Sequence, residues 1–416
     1  MRKTGAGFCA GFSAGKEFFM KKVLLCALSL LLAASTLFGC DTKKEKKDEN
    51  TTEAVTTEAV TTKEPTDYSK QITIKTEDAV KNDLIKVNGR YEFLKNGALS
   101  CDHTGCGIEF SLDCEGTVAV NVTTTGDIYF TVWVDGVRQD KENREGYAVS
   151  GIAVTAKKRS VPMILGENLP AGEHNFKIAK QTNPRTSVAS IDSVSFSGKF
   201  LDRPADKPVL IEFIGDSLTA GSVNIGDKNI KLSASSAVYE DGTQSYAYLA
   251  AEKLGVDVSV VARPGIGLLY GTGGDSSTQM GAIYHLQSWW RSTKTEYVPV
   301  RTPDLVVINL GTNDQGSMSS AGGSIAAYTK GLTDFIGVIR GYYGEVPIMI
   351  LVNNDIAGSF RPATVEATKG MNGITIESYQ RHKNGGNNHP NLSECRIEAD
   401  TLVSQLKNHY PELFNK

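Results

Sequence analysis

Residues 209–221 read Val-Leu-Ile-Glu-Phe-Ile-Gly-Asp-Ser-Leu-Thr-Ala-Gly, an apolar run that passes directly into a Gly-Asp-Ser turn. Such a run, apolar on both faces, is typical of a strand buried inside a parallel sheet. Comparable runs lie at 256–262, 305–310 and 346–352, with a weaker one at 374–376. Together these runs predict a parallel sheet covered on both faces.

Helical patterns lie between and after these strands. Residues 245–254 carry apolar side chains at helical spacing and are followed by Gly255, a residue type that commonly ends helices. Asn391 and Glu394 form a capping-box pattern that opens a last helix. The sequence therefore predicts an α/β/α domain with a five-stranded, mainly parallel sheet over residues 207–416.

Residues that can carry chemistry follow each strand. Ser217 follows the first strand, Gly265 the second, Asn313 the third and Asp355 the fourth, and His389 lies in the loop after the fifth. Because ligands bind beyond the carboxyl ends of parallel strands, these residues are expected to converge. Serine and histidine supply a nucleophile and a base, and glycine N–H and amide groups can stabilise an oxyanion.

Residues 68–200 follow a different pattern, in which apolar and polar residues alternate with period two. The run 128–134 ends at Asp135-Gly136, which is a hairpin signal. No segment of helical period interrupts the region. It is predicted to be an antiparallel β-sandwich of the jelly-roll type.

The N-terminal 67 residues are predicted to comprise a signal peptide followed by a tether. Met20-Lys21-Lys22 begins a short basic stretch before the apolar run 23–38, which suits a signal peptide. Residues 1–39 are therefore predicted to be a signal peptide with an over-extended start. The Gly-Cys pair that ends the run resembles a bacterial lipobox. It predicts a lipid on Cys40 and the outer face of the cell membrane as the location; an ordinary secretory signal is the alternative. Residues 40–67 are polar and predicted to be a disordered tether.

Composition narrows the function classes further. The chain has 416 residues with 44 Lys and Arg against 47 Asp and Glu, a net charge of −3, which excludes a protein built mainly to grip nucleic acid. The seven cysteines fit no zinc pattern, and no metal or cofactor is expected. Cys101 and Cys114 lie on adjacent predicted strands, so a disulfide and buried reduced thiols both remain open.

The order of the blocks resembles the SGNH (GDSL) hydrolase superfamily: Gly-Asp-Ser-Leu at 215–218, a glycine, Gly-x-Asn-Asp at 311–314 and His-Pro at 389–390. With a β-sandwich placed before it, the chain is most similar to the family-two carbohydrate esterases of the acetylxylan esterase type. The resemblance implies a cofactor-free carboxylic ester hydrolase that deacetylates plant polysaccharides. It covers roughly residues 85–410.

The resemblance also implies roles for single residues. Ser217 is the nucleophile and His389 the base, while the N–H groups of Ser217 and Gly265 and the amide of Asn313 form the oxyanion hole. Gly267 is the less favoured glycine for this role.

The superfamily's last block is Asp-x-x-His, but Gly386 stands three residues before the histidine. We therefore predict a Ser–His dyad, with a main-chain carbonyl from residues 384–388 or nearby accepting from the imidazole. Asp400 and Glu394 would have to reach back to act as a triad acid, and the capping box points Glu394 toward its own helix.

Aromatic residues after the second strand are candidates for contacts with sugar rings. They are Trp289, Trp290, Tyr270 and Tyr284, to which Asp355 adds a polar contact; packing against helices is the alternative. Two other functions remain open: a carbohydrate-binding lipoprotein with a decayed site, and an esterase acting on peptidoglycan or lipid esters. The sequence predicts neither the glycan nor the oligomeric state.

Overall fold

The computed structural model describes residues 66–139, 143–144, 147–148, 151–154, 160–230, 237–275, 279–288 and 294–414. The signal peptide, Cys40 and nearly all of the tether lie outside the described residues, so the inferences about them stay predictions. Within the described part, the chain is almost entirely β-structure up to Phe200 and alternates strands with helices from Leu210 onward. This change of pattern falls where the sequence predicts it.

The β-rich part, here called the β-domain, is antiparallel. Its elements are β1 (Gln71–Lys75), α1 (Thr76–Lys81), β2 (Ile85–Asn88), β3 (Glu92–Phe93), β4 (Leu99–Cys101), β5 (Gly107–Thr124), β6 (Ile128–Val134), β7 (Val137–Arg138), β8 (Asn143–Arg144), β9 (Tyr147–Ala148), β10 (Ile152–Val154), β11 (Val161–Lys180) and β12 (Ala189–Phe200). The main strand order is β10-β6-β11-β5-β12-β4-β3, with β1 on β12, β2 on β5 and β7 on β6. The predicted antiparallel β-structure is confirmed, and its assignment as a jelly roll stays a prediction.

The register of this sheet answers the question about the cysteines. Cys101 lies opposite Ala189 of β12, whereas Cys114 lies opposite Gly198 of the same strand. Nine residues of extended strand span roughly 30 Å, far beyond the reach of a disulfide. Both thiols are free and buried, so a Cys101–Cys114 bridge is ruled out and the alternative of buried thiols holds.

The second part, here called the α/β-domain, contains the predicted sheet. Its strands are β13 (Leu210–Gly215), β14 (Asp257–Ala262), β15 (Leu305–Asn309), β16 (Ile348–Asn353) and β17 (Ile374–Tyr379). Their order is β14-β13-β15-β16-β17, and every pairing is parallel. The strand order reverses next to β13, which places the Ser217 turn at the point where clefts form in such sheets.

Helices cover both faces of this sheet. They are α2 (Tyr246–Leu254), α3 (Met280–Ile283), α4 (Thr312–Ser317), α5 (Ile325–Tyr343), α6 (Ala357–Ala367), α7 (Leu392–His409) and α8 (Pro411–Phe414). Side chains of α2 and α7 form one core with the sheet, and those of α5 and α6 form the other. The Asn391–Glu394 capping box and the left-handed Gly255 are both present, as predicted.

The β-domain packs beside β14, an edge strand of the parallel sheet. Lys86 of β2 forms a buried ion pair with Asp257 of β14, with 2.6 Å between Nζ and Oδ1. Covering an exposed edge removes a site at which further strands could pair. In the part of the chain that the structure describes, no helix is both long and apolar enough to cross a bilayer.

Candidate active site

Ser217 lies in the tight turn directly after β13. The Asp216 carboxylate accepts a hydrogen bond from the Leu218 N–H at 2.9 Å, which fixes the turn. Gly215 must be glycine, because a Cβ there would lie 2.0 Å from Thr219 Oγ1. The turn presents the Ser217 hydroxyl at the carboxyl edge of the sheet, 2.8 Å from His389 Nε2.

The other imidazole nitrogen meets the main chain. Nδ1 of His389 lies 3.0 Å from the carbonyl oxygen of Asn387, two residues earlier. With Nδ1 donating to this carbonyl, Nε2 is left as the acceptor that faces Ser217. The predicted main-chain acceptor from the 384–388 loop is therefore present.

Local backbone geometry turns this carbonyl toward the ring. Asn387 and Asn388 have φ of 49° and 58°, a region that asparagine occupies more readily than most residues. Gly386 leaves no space for the carboxylate of the superfamily pattern, because a Cβ there would lie 2.6 Å from Val223 Cγ1. A compact, glycine-dependent loop thus replaces the missing acid.

The two candidate acids on the last helix are engaged elsewhere. The Glu394 carboxylate accepts from the backbone N–H groups of Asn384 and Asn391, at 3.1 and 3.0 Å, and so holds the histidine loop in place. Asp400 forms an ion pair with Lys253 on the surface. Neither carboxylate is bonded to His389, as expected for a dyad.

Burial and a neighbouring charge set the protonation of the base. Burial first, and then the positive charge of Arg381, lower the pKa of His389 to about 4. The imidazole is therefore neutral near pH 7, which leaves Nε2 able to accept a hydrogen bond from the Ser217 hydroxyl. Burial has the opposite effect on the Asp216 carboxyl, whose pKa it raises to about 7.

Two backbone N–H groups are available for an oxyanion. Neither the Gly265 N–H nor the Ser217 N–H donates to any of the described residues. Gly265 has φ of +79°, which a residue with a side chain rarely adopts. Gly267 has a packing role instead, because a Cβ there would lie 1.9 Å from the Tyr270 carbonyl oxygen.

Asn313 is close to this glycine loop, and its amide is already hydrogen-bonded. Its Nδ2 donates to the Ile266 carbonyl at 2.7 Å and to Asp216 Oδ2 at 3.3 Å. Its Oδ1 accepts from the Thr272 hydroxyl at 3.1 Å. The amide is thus oriented from three sides, and its bond to Asp216 is the longest of the three.

Asp314 is a positioning residue that the sequence analysis did not single out. Its carboxylate accepts from the N–H groups of Leu268, Leu269 and Tyr270 at 2.7, 2.7 and 3.0 Å, and so fixes the loop that carries Gly265. Burial raises the pKa of this carboxyl, while the three N–H groups lower it. The only signal in the sequence is its place beside Asn313.

The comparison with known families agrees with this geometry. Residues 213–411 match the GDSL-like lipase/acylhydrolase family. They form a GDSL-like hydrolase domain. The match begins within β13 and ends in α8, so it takes in every strand end described above.

Relatives extend the similarity to the β-domain. The cellulase/esterase CelE of Acetivibrio thermocellus is 26% identical over 347 residues, which cover 79% of this chain. This chain spans only about two fifths of the length of that curated relative, since the aligned region covers 40% of it.

Solved structures share the whole two-domain fold. A family-two carbohydrate esterase from Clostridium thermocellum, determined in complex with cellohexaose, is 22% identical with a TM-score of 0.69, covering 79% of this chain and 99% of its own. An acetyl xylan esterase from Butyrivibrio proteoclasticus is 16% identical with a TM-score of 0.70, covering 82% and 99%. At these identities the likeness establishes the fold.

The residues predicted to contact substrate differ in their burial and in their partners. Trp289 and Trp290 lie outside the described residues. Tyr284 is fully buried and donates to Glu212, so its predicted place in a sugar-binding wall is wrong and packing is its role. Tyr270 is half-buried in the Gly265 loop, and Asp355 is exposed with Lys383 Nζ at 2.8 Å. Among the described residues, no cluster of His, Cys, Asp and Glu could hold a metal ion.

Proposed function

We propose that the chain is a serine esterase that removes O-acetyl groups from polysaccharide, xylan or a related plant cell-wall glycan, through an acetyl-enzyme intermediate. One observation carries the proposal: His389 Nε2 lies 2.8 Å from Ser217 Oγ, while Nδ1 lies 3.0 Å from the Asn387 carbonyl. This is the arrangement of an activated serine whose base is held in one tautomer.

The acylation step follows from these positions. Ser217 Oγ attacks the acetyl carbonyl carbon while Nε2 of His389 takes the hydroxyl proton. The new oxyanion accepts from the N–H groups of Ser217 and Gly265 and from Asn313, whose amide exchanges its bond to Asp216. Each such donor contributes on the order of 3 kcal/mol to the transition state. The imidazolium then passes its proton to the sugar oxygen, which leaves.

Deacylation repeats the same steps with water in place of the sugar. Nε2 of His389 takes a proton from a water molecule that attacks the acetyl carbon, and the same donors hold the second oxyanion. The tetrahedral intermediate collapses to acetic acid as the proton returns to Ser217 Oγ, and the released acid ionises to acetate in solution. A carbonyl at Nδ1 keeps the tautomer fixed through both halves, although it stabilises the imidazolium less than a carboxylate would.

Polysaccharide as the substrate class is supported by architecture. Esterases of the same two-domain fold act on or bind glycans, according to the relatives described above. The β-domain, which we propose to be a jelly roll, extends the surface beside the GDSL-like domain.

The decisive experiment measures acetate release from acetylated xylan, acetylated mannan and O-acetylated peptidoglycan in parallel. Wild-type protein should release acetate from at least one plant glycan, and Ser217→Ala should abolish release while its circular dichroism spectrum stays unchanged. Undiminished release by Ser217→Ala would refute the mechanism. Release of acetate from peptidoglycan alone would mean that peptidoglycan, and not a plant glycan, is the substrate. Binding of glycan without release of acetate would favour a carbohydrate-binding protein with a decayed site.

We also propose that Cys40 carries a lipid that anchors the enzyme on the outer face of the cell membrane. A membrane-tethered enzyme would meet polymeric substrate before it enters the cell. Changing Cys40 to Ala should transfer the protein from the membrane fraction to the medium or periplasm. Intact mass spectrometry of wild-type protein without a lipid adduct would refute the anchor.

A further inference from the structure

A loop of the β-domain, residues 181–188, reaches the segment that follows the catalytic serine. Asn183 is fully buried, and its backbone N–H donates to the Glu240 carboxylate at 3.1 Å. Its side-chain amide donates to the same carboxylate and to Ser222 Oγ at 3.2 Å. Glu240 and Ser222 belong to the α/β-domain, so this loop is fixed to the hydrolase domain by buried polar contacts.

The same asparagine shapes the tip of the loop. Its Oδ1 accepts from the N–H groups of Arg185 and Thr186 at 2.9 and 3.2 Å. This turn holds the backbone of Arg185 while its side chain remains exposed. Nη1 of Arg185 lies 3.4 Å from the position that a Cβ on Gly265 would occupy. A guanidinium from the β-domain therefore sits against the glycine that we place in the oxyanion hole.

Other cations surround this position. Arg263 lies in the Gly265 loop near Arg185. Burial lowers the pKa of Arg263, and the positive charge of Arg185 lowers it further. Arg381 donates to the Asn388 carbonyl at 2.6 Å on the histidine side. The nearby acids act on other cations, since Asp275 faces Arg263 and Asp355 pairs with Arg381 and Lys383.

Arg185 forms no ion pair with the described residues, whereas Arg381 pairs with Asp355 at 3.6 Å. Holding like charges side by side is unfavourable unless an anion joins them. A planar guanidinium suits a carboxylate, to which it can donate two parallel hydrogen bonds.

We propose that Arg185 is a specificity-determining residue that binds a carboxylate of the glycan, so that the preferred substrates are acetylated polysaccharides bearing uronic acid. The inference rests on the proposed esterase function and deepens it. It also assigns the β-domain a direct part in the active site. Because Arg185 lies beside the oxyanion loop, the carboxylate that it binds belongs to a sugar close to the acetylated one.

The test compares acetylated glucuronoxylan with the same polymer after enzymatic removal of its uronic acid. Arg185→Gln should lower kcat/KM on the uronate-bearing polymer at least about tenfold, mainly through KM, the scale of one lost charge-assisted hydrogen bond. The loss on the uronate-free polymer and on p-nitrophenyl acetate should be at least about threefold smaller, because neither substrate carries a carboxylate for Arg185 to bind. Arg185→Lys should recover part of the loss, because it restores the charge without the planar fork.

Arg396→Gln is the matched control, since Arg396 is an exposed arginine on α7. It should leave the ratio of the two polymer rates unchanged. Equal losses on both polymers in Arg185→Gln, or a wild-type enzyme with no preference between them, would overturn the role of Arg185. Failure of the wild type on both polymers would instead overturn the proposed function, so the two failures are distinguishable.

Discussion

At the residue scale, the base depends on a main-chain carbonyl instead of an acid. The side chain of Asn387 has no part in the bond to Nδ1, so only its backbone conformation matters. Replacement by glycine should keep kcat within about threefold of wild type, because glycine adopts positive φ freely. Replacement by valine should lower kcat about tenfold, since a β-branched residue is strained there by about 1–2 kcal/mol.

Acetate release by the two Asn387 variants, with folding checked by thermal melting, separates these cases. Equal rates for Asn387→Gly and Asn387→Val would mean that the carbonyl does not orient the imidazole. A strong loss in the glycine variant would mean that the side chain acts directly.

The buried imidazole also predicts an unusual pH profile. As the proposed base, His389 acts only when neutral, and its pKa of about 4 lies below the ordinary value of 6.5. The rate should therefore stay near its plateau as pH falls to about 5 and be lost as pH falls through about 4. Removing the neighbouring positive charge in Arg381→Gln should raise the pKa of His389 and move this acidic limb upward.

Rates of acetate release measured between pH 3.5 and 8 give the acidic limb of the pH profile directly. Asp216→Asn is the control, because Asp216 also lies at the site and has a pKa of about 7. A limb near pH 7 that disappears in this variant belongs to Asp216. An acidic limb near pH 6.5 in wild type, unmoved by Arg381→Gln, would contradict the burial argument.

At the scale of elements, the proposed oxyanion hole depends on one carboxylate that fixes a loop. Asp314, on α4, accepts from three consecutive N–H groups of the 268–270 segment. Asp314→Asn replaces one acceptor oxygen by a donor and should push part of that segment away. We expect kcat to fall at least about tenfold with little change in KM, because Gly265 acts mainly on the transition state.

Thermal melting and the pH profile distinguish positioning from general destabilisation. The Asp314→Asn protein should fold and keep the acidic limb of wild type, since His389 is untouched. A parallel rise in KM, or an unaltered kcat, would show that the loop holds its shape without the carboxylate.

The strands of the α/β-domain could be predicted from the sequence. Buried parallel strands are apolar along their length, and polar residues follow their carboxyl ends. The main-chain acceptor for His389 was predictable because Gly386 occupies the place of the usual acid. The role of Asp314 was not, since three donors from a distant loop leave no pattern in sequence. Tyr284 was misassigned because an aromatic residue near a strand end looks the same whether it faces sugar or the core.

At the scale of the whole molecule, a second buried ion pair joins the two domains, besides that of Lys86 with Asp257. Glu212 lies in the middle of β13, where the sequence is otherwise apolar, and its carboxylate is 3.3 Å from Arg90 Nη2 of the β-domain. The guanidinium sits between two rings, with its carbon 4.2 Å from the Tyr284 centroid and 3.6 Å from that of Tyr297. Both charged side chains are almost completely buried.

This arrangement predicts that the two domains unfold as one unit. Arg90→Met leaves the Glu212 charge buried without its partner, so it should lower the free energy of unfolding by about 3–5 kcal/mol. Adding Glu212→Gln removes the stranded charge and should recover part of that loss. Denaturant titration followed by tryptophan fluorescence and circular dichroism measures both variants, with Lys330→Met, which breaks an exposed ion pair to Asp334, as the control expected to change little.

Coincident transitions by the two probes are expected for wild type, because a hydrolase domain without the β-domain would expose the Glu212 side of β13. Two separate transitions, or an Arg90→Met protein as stable as the Lys330→Met control, would mean that the domains are only loosely joined. In that case Arg185 could not be held against the Gly265 loop by the β-domain. The stability of the domain contact and the shape of the active site are thus parts of one arrangement.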